Sequence, residues 1–248
     1  MTKYEIIDSH AHIGDCRISG HSSTVEEVIQ AMDSNAVASS IALPFPGSPK
    51  NIENHTVIAE AAKDNPGRIY GVASLNPFMD DHLYEKEIRR CVEELGFVGI
   101  KLHPMYHACH ISAPIADKVF RLAAEYDIPV LIHTGQGIPQ ALPGMAIGRA
   151  REYPQLRLIF CHAGGYILMP EAIMVADAFD NIYLETSWSS PHGMQEAIDK
   201  LGAHRVMFGA DSNLAVADQI AKYHSLTLSD EDRQMCLSGT ARAVFKLP

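Results

Sequence analysis

Along the chain, short runs of apolar and β-branched residues alternate with stretches whose apolar positions recur every three or four residues. The runs fall at 4–10, 38–45, 68–76, 97–104, 128–135, 156–164, 182–188 and 206–212. Each has strand length and is bounded by turn residues. Between them, TVEEVIQAMDSNA, NIENHTVIAEAAKDN, HLYEKEIRRCVEELG and APIADKVFRLAAEYD read as helices. In the third, Ile88, Cys91, Val92 and Leu95 stand at i, i+3, i+4 and i+7, an apolar stripe suited to packing on a sheet. Pro66, Pro129 and Pro154 close helices or open strands, and Gly96 and Gly202 suit helix C-caps.

Strands followed by helices, none of them joined to the next by a tight hairpin turn, imply parallel neighbours with crossover connections. The pattern predicts a (β/α)8 TIM barrel, one domain over residues 1–248, with a doubly wound open sheet as the second choice. A hydrophobic content of 47% is enough for one sizeable core.

Composition narrows the classes of function. Thirty acidic residues against twenty basic ones give a net charge of -10, with no basic cluster, so binding to a nucleic-acid backbone is disfavoured. The opening MTKYEIIDSH enters a strand without a secretory pattern, and no apolar run approaches the roughly 20 residues needed to span a bilayer. The expectation is a cytoplasmic protein with a small-molecule substrate and no membrane or nucleic-acid partner; association into a homo-oligomer is left open. Cys16, Cys91, Cys109, Cys161 and Cys236 form no CxxC pair and read as reduced thiols. The HxxCH stretch at 107–110 matches no standard zinc module.

The chemistry lies at the strand ends. A lone HxH pair means little, since 13 histidines in 248 residues produce about 0.7 such pairs by chance. Position changes the weighing: His10, His12, His103, His133, His162 and Asp211 all fall at or just past the C-terminal ends of predicted strands, the rim where barrel active sites are built. Alternation puts His10 and His12 on one side of their strand, facing one cation. Imidazoles with a carboxylate suit Zn2+, and also Mn2+, Fe2+ or Ni2+. Asp8, two residues before His10, reads either as an orienting partner of an imidazole or as a buried structural carboxylate.

The ordered segments DSHAHIG, GIKLHP, LIHTG, IFCHAGG and FGADS, with SGTARAVFKL closing the chain, resemble the amidohydrolase superfamily, and most closely its amidohydrolase 2 branch of hydrolases, lactonases and metal-dependent decarboxylases. The resemblance implies that His10, His12, His133 and Asp211 bind the metal. His162 then serves the attacking water or, in two-metal members, joins a carboxylated Lys101 on a second ion. The sequence departs from the family pattern at Ala210 and Asn213, where Ser and Pro are usual, and at Thr240, where Asn is common.

These readings lead to an expected hydrolase. A metal-activated water attacks a carbonyl such as an amide or lactone, Asp211 and His162 move protons, and Lys101, His103 or Arg17 holds a substrate carboxylate. Trp188 and Tyr166 can stack on a ring, and the Pro-rich loop LPFPGSPKNIENH can cover the mouth, with Asn51 and Asn54 alternatively serving as caps. The alternative is a metal-dependent decarboxylase using the same ligands. A metal-dependent deoxyribonuclease and a catalytically silent scaffold rank lower.

Overall fold

The structure, a computed structural model, describes residues 3–135 and 139–248. Its strands are β1 (Ile7–Asp15), β2 (Ser22–Ser23), β3 (Ser39–Pro44), β4 (Ile69–Gly71), β5 (Ala73–Ser74), β6 (Ile100–Leu102), β7 (Val130–His133), β8 (Leu158–Cys161), β9 (Ile182–Glu185) and β10 (Val206–Met207). The α-helices are α1 (Val25–Ser34), α2 (Asn51–Asp64), α3 (Asp81–Arg89), α4 (Asp117–Glu125), α5 (Ile147–Glu152), α6 (Gly165–Ala178), α7 (Pro191–Leu201), α8 (Val216–Ser225), α9 (Asp230–Gln234) and α10 (Thr240–Phe245). Every predicted run overlaps a strand, and β1 continues past the predicted end at residue 10 to Asp15.

The ladders run β2-β1-β3-β4 and β10-β9-β8-β7-β6-β5, parallel except for β1 with β2. Two seams join them into a cylinder. At the first, β4 and β5 are one strand interrupted at Val72, whose N–H bonds Ala42 O (2.9 Å), while Val98 N bonds Gly71 O on the other side (2.8 Å). At the second, Ser9 N donates to Phe208 O (3.1 Å) and Asp211 N to His10 O (2.7 Å). A (β/α)8 barrel results.

Side-chain alternation sorts the core into two shells. Ile7, Ile41, Leu43, Val72, Leu131, Ile159 and Met207 pack inside the cylinder, and Ala241, Val244 and Phe245 of α10 join them at the strand starts, sealing the end opposite the histidines. Ile6, Ile13, Ala42, Ile100, Ile132 and Phe160 face the helices. Lys101 lies between the outward-facing Ile100 and Leu102, so the same alternation turns its side chain into the barrel.

Strand β1 breaks the alternation. Its register against β3 slips between Asp8 and Ala11, a bulge that adds one residue. Unbroken alternation from the inward-facing Ile7 would send His10 and His12 outward; the extra residue turns both inward and leaves Ile13 among the outer core. Asp8 therefore does not point alongside His10. Its Oδ1 accepts the backbone N–H groups of His10 (3.0 Å) and Ala210 (2.9 Å) and pins the bulge to the last strand.

Beyond Asp15 the chain turns back, with Cys16 N bonding His21 O (2.8 Å), and pairs Ser22–Ser23 antiparallel to the end of β1. This flap on the rim was not legible from the pattern, because two residues carry no periodicity. Among the described residues no helix is long and apolar enough to cross a membrane, and the expected cytoplasmic location gains no other support. All five cysteines are free and buried.

Candidate metal centre

Five strand ends deliver the site. β1 supplies His10 and His12, β6 supplies Lys101 with His103 just beyond, β7 ends on His133, β8 leads into His162, and Asp211 follows β10. These groups line one cavity of about 980 Å³ at the barrel mouth. A groove of about 610 Å³ between α1 and α2, lined by Glu26, Asp33, Glu60 and Asp64, holds none of them.

The backbone that presents them is strained. Asp211 has φ 63°, and His162, Ala163, Gly164 and Gly165 form four consecutive left-handed residues at φ 66°, 46°, 81° and 65°. For a residue with a Cβ, that conformation costs about 1–2 kcal/mol, which tertiary bonds offset. Gly164 N donates to Thr134 Oγ1 (2.9 Å), and His162 N donates to Glu185 Oε2 (3.2 Å).

His10 Nε2 lies 3.3 Å from Asp211 Oδ1, and His12 Nε2 lies 3.2 Å from the same oxygen. The His133 ring is edge-on to His162 with centroids 4.7 Å apart, and the His162 ring is 5.1 Å from that of His10. His133 Nε2 is buried with no hydrogen-bond partner among the described residues.

Glu185, which the sequence reading did not single out, organises these rings. Its Oε2 accepts from His10 Nδ1 (2.9 Å) and from Ser187 Oγ (2.9 Å), and its Oε1 accepts from Ser187 N (2.5 Å). Burial raises the Glu185 pKa against the pull of His162 and the Ser187 bonds; as a carboxylate it only accepts, which puts the His10 proton on Nδ1 and leaves the Nε2 lone pair facing Asp211. Because the Ser187 hydroxyl is spent on Glu185, it accepts from His162 Nδ1 (2.8 Å), and Nε2 of His162 carries the lone pair. The sequence signal for Glu185 was weak: it lies in the middle of the predicted run at 182–188, and only the observed β9 ends on it.

Two imidazole Nε2 atoms thus meet one carboxylate oxygen beside the unpartnered Nε2 of His133, and this donor set fits a divalent ion. The protonation states agree. Burial drives His10, His103 and His133 well below the usual histidine range and keeps them neutral, as ligands must be. Burial alone would raise Asp211, but His10, His162 and His12 outweigh it and hold its carboxyl well below the usual range. A neighbouring trio, His10, Cys161 and Glu185, is also close enough to share an ion. There the Cys161 thiol takes a bond from Lys101 Nζ at 3.1 Å, and without an ion burial pushes it up to about 12.

The remaining expected residues are placed as follows. Lys101 is buried with Nζ 3.2 Å from His10 Nε2 and 3.1 Å from Cys161 Sγ. His103 stacks between His133 (centroids 3.9 Å) and Tyr106 (4.3 Å), and its N–H reaches His107 Nδ1, so the 107–110 stretch buttresses His103. Arg17 is exposed on the flap and is not among the residues lining the cavity. Trp188 lines the mouth, and Tyr166 is exposed away from it. The Pro-rich loop contributes Phe45 and Pro46, with Phe45 stacked on His12 at 4.5 Å; Asn54 donates to Ser48 Oγ, and Lys50 rather than Asn51 occupies the N-cap of α2.

A closed barrel with a cation-ready centre at its C-terminal mouth defines a metal-dependent barrel enzyme. The family model described as Amidohydrolase, of the amidohydrolase 2 type, matches residues 47–247, and the chain belongs to this family. Among curated relatives, it is 26% identical over 246 residues to gamma-resorcylate decarboxylase of Polaromonas sp., covering 77% of this chain and 74% of that one. It is 23% identical over 252 residues to 2-keto-4-carboxy-3-hexenedioate hydratase of Sphingobium sp., covering 83% and 72%. The crystal structure of a dihydroxybenzoic acid decarboxylase from Polaromonas sp., with bound manganese and the inhibitor 2-nitroresorcinol, superposes with a TM-score of 0.78 at 19% identity, covering 98% and 97%.

These relatives correct the expected hydrolysis. Decarboxylation and the addition of water to a double bond cleave no amide or ester, so the relatives do not support the hydrolase expectation. The emphasis on zinc is likewise not matched by the solved relative, which holds manganese.

Proposed function

We propose that the protein is a metal-dependent lyase that removes carbon dioxide from a small aromatic or unsaturated carboxylic acid. The observation that carries this reading is the convergence of His10 and His12 on one oxygen of Asp211, beside the unpartnered His133 Nε2, at the floor of a cavity walled by Phe45, Tyr106 and Trp188. The decarboxylases among the relatives support the reaction class.

His10, His12, His133 and Asp211 would hold one divalent ion. Their nitrogen and oxygen donors, without a thiolate, suit manganese as well as zinc. When bound, the ion supplies Lewis-acid polarisation of the substrate's oxygens. Lys101 places a positive charge beside His10, where a substrate carboxylate would enter. As carbon dioxide departs, the electrons of the broken C–C bond stay on carbon, which takes up one proton. His162, with Nδ1 committed to Ser187 and Nε2 turned to the cavity, and Asp211 are the groups placed to handle that proton. The flat walls favour a planar substrate.

The test is to load the purified protein with manganese and screen hydroxybenzoates and unsaturated diacids. The expected result is one carbon dioxide released per substrate consumed, without incorporation of water. Water addition with no carbon dioxide would replace this reading with a hydratase.

A further inference from the structure

The cavity wall carries a cation that the proposed chemistry does not use. Among the described residues lining the cavity, Lys101 and Lys222 are the only lysines or arginines. Lys101 lies at the floor, against His10. Lys222 projects from α8 and is half-buried; its ammonium donates to Ser189 O (2.9 Å) and Gln219 Oε1 (3.0 Å), both neutral acceptors. An ammonium has three donors, so one remains. No carboxylate of the described residues forms an ion pair with it; Asp218, one turn earlier on the same helix, also lines the cavity but is exposed, and water screens its charge. Burial pulls Lys222 below the usual lysine value against the opposing pull of Asp218 and Glu185.

Its location relates it to the metal centre. Ser189, whose carbonyl Lys222 holds, follows Trp188, whose indole N–H bonds Asp211 Oδ2 at 2.7 Å. Two successive residues thus connect the carboxylate at the metal centre to the ammonium. Trp188, Asp211 and Lys222 line the same cavity, so a molecule held at the metal centre shares that cavity with the Lys222 ammonium.

We propose that Lys222 binds a second anionic group of the substrate, so that the acids this enzyme accepts carry two acidic groups, one for the metal centre and one for the α8 side of the mouth. This rests on the lyase reading for the first group only. A partly desolvated ammonium bonded to neutral oxygens gains most from an incoming anion, and the resulting charge-assisted bond supplies selectivity.

The test measures binding rather than turnover. The manganese-loaded wild type, Lys222→Met and Lys222→Arg are titrated calorimetrically with benzoate, isophthalate and terephthalate. The expected result is that at least one dicarboxylate binds the wild type about tenfold or more tighter than benzoate, the size of one charge-assisted bond. Lys222→Met should cancel that advantage while leaving benzoate affinity and manganese content unchanged, and Lys222→Arg should retain part of it. No advantage in the wild type, or an undiminished one in Lys222→Met, overturns the proposal. So does an equal loss for benzoate and dicarboxylates in Lys222→Met, which would assign Lys222 to holding the 188–189 loop. If the dicarboxylate advantage behaves as expected but no acid releases carbon dioxide, the decarboxylase reading fails and the second anion site stands. Carbon dioxide release from an acid by a wild type that binds mono- and dicarboxylates equally refutes the second site alone.

Discussion

The indole N–H of Trp188 donates to Asp211 Oδ2 at 2.7 Å, while Asp211 Oδ1 faces the Nε2 atoms of His10 and His12. Both residues sit at φ 63°, a left-handed conformation that neither adopts without tertiary support. The bond fixes the rotation of the carboxylate and so decides which oxygen is offered to the ion. Trp188→Phe keeps the aromatic face and removes only the donor. Manganese affinity is expected to fall about 10-fold, within the range seen when a partner that orients a ligand is lost, with little change in melting temperature. Titration of the apoprotein with manganese checks this; unchanged affinity would show that Asp211 needs no such restraint.

Glu185 fixes His10 from behind. In Glu185→Gln the amide offers N–H where Glu185 now accepts, so at least one of the His10 Nδ1, His162 N and Ser187 contacts meets a donor instead. Manganese affinity is expected to fall about 10–100-fold. Gly209→Ala provides a test that leaves the carboxylate chemistry alone: an added Cβ would lie 2.4 Å from Glu185 Oε1 and must displace it. The same direction of loss is predicted, and opposite responses in the two variants would separate hydrogen bonding from simple packing.

Removing the ion should cost stability, because an ion bound only by the folded state stabilises it. At a free concentration 100 times Kd the effect is about 2.7 kcal/mol, or a fall of about 5–10 °C in melting temperature for a chain of this size on chelation. Manganese should restore it. His133→Ala should lack that response, since its Nε2 is the buried nitrogen left without a partner; full restoration in the variant would remove His133 from the ligand set.

Acid should loosen the helical layer through a cluster remote from the mouth. His55 Nε2 accepts Ser74 N (3.0 Å), its Nδ1 donates to Glu87 Oε1 (2.8 Å), and Arg90 grips both Glu87 oxygens at 2.8 Å. Burial works to raise the Glu87 pKa, but the bonds from His55 and Arg90 prevail and bring it down to about 2 from an ordinary 4.5. A depressed carboxyl contributes stability that is present above pH 4.5 and lost as pH falls through the folded value. Urea unfolding of wild type and Glu87→Gln should therefore differ most above pH 5 and converge between pH 4.5 and about 2. Burial also lowers His55 from its ordinary 6.5, so protonation of this group opposes folding in acid as well. A pH-independent difference would mean that Glu87 acts through packing alone.

The amino-acid sequence by itself determined the barrel and the identity of the groups at its mouth. Alternation over a few residues and three-to-four periodicity over a dozen are local properties, and a histidine or aspartate at the end of a strand in a parallel barrel can only lie on the rim. The tertiary structure decided what depends on residues distant in the chain. The bulge at Ser9–His10 reverses which side of β1 faces inward, and only its register against β3 reveals it. Glu185 became the hub because His10 and His162 reach it from other strands, whereas Arg17, only seven residues after His10, was carried outward on the flap. Lys222 entered the cavity because α8 folds back over the mouth. Such contacts join residues through space, and a one-dimensional pattern records only what neighbours along the chain impose.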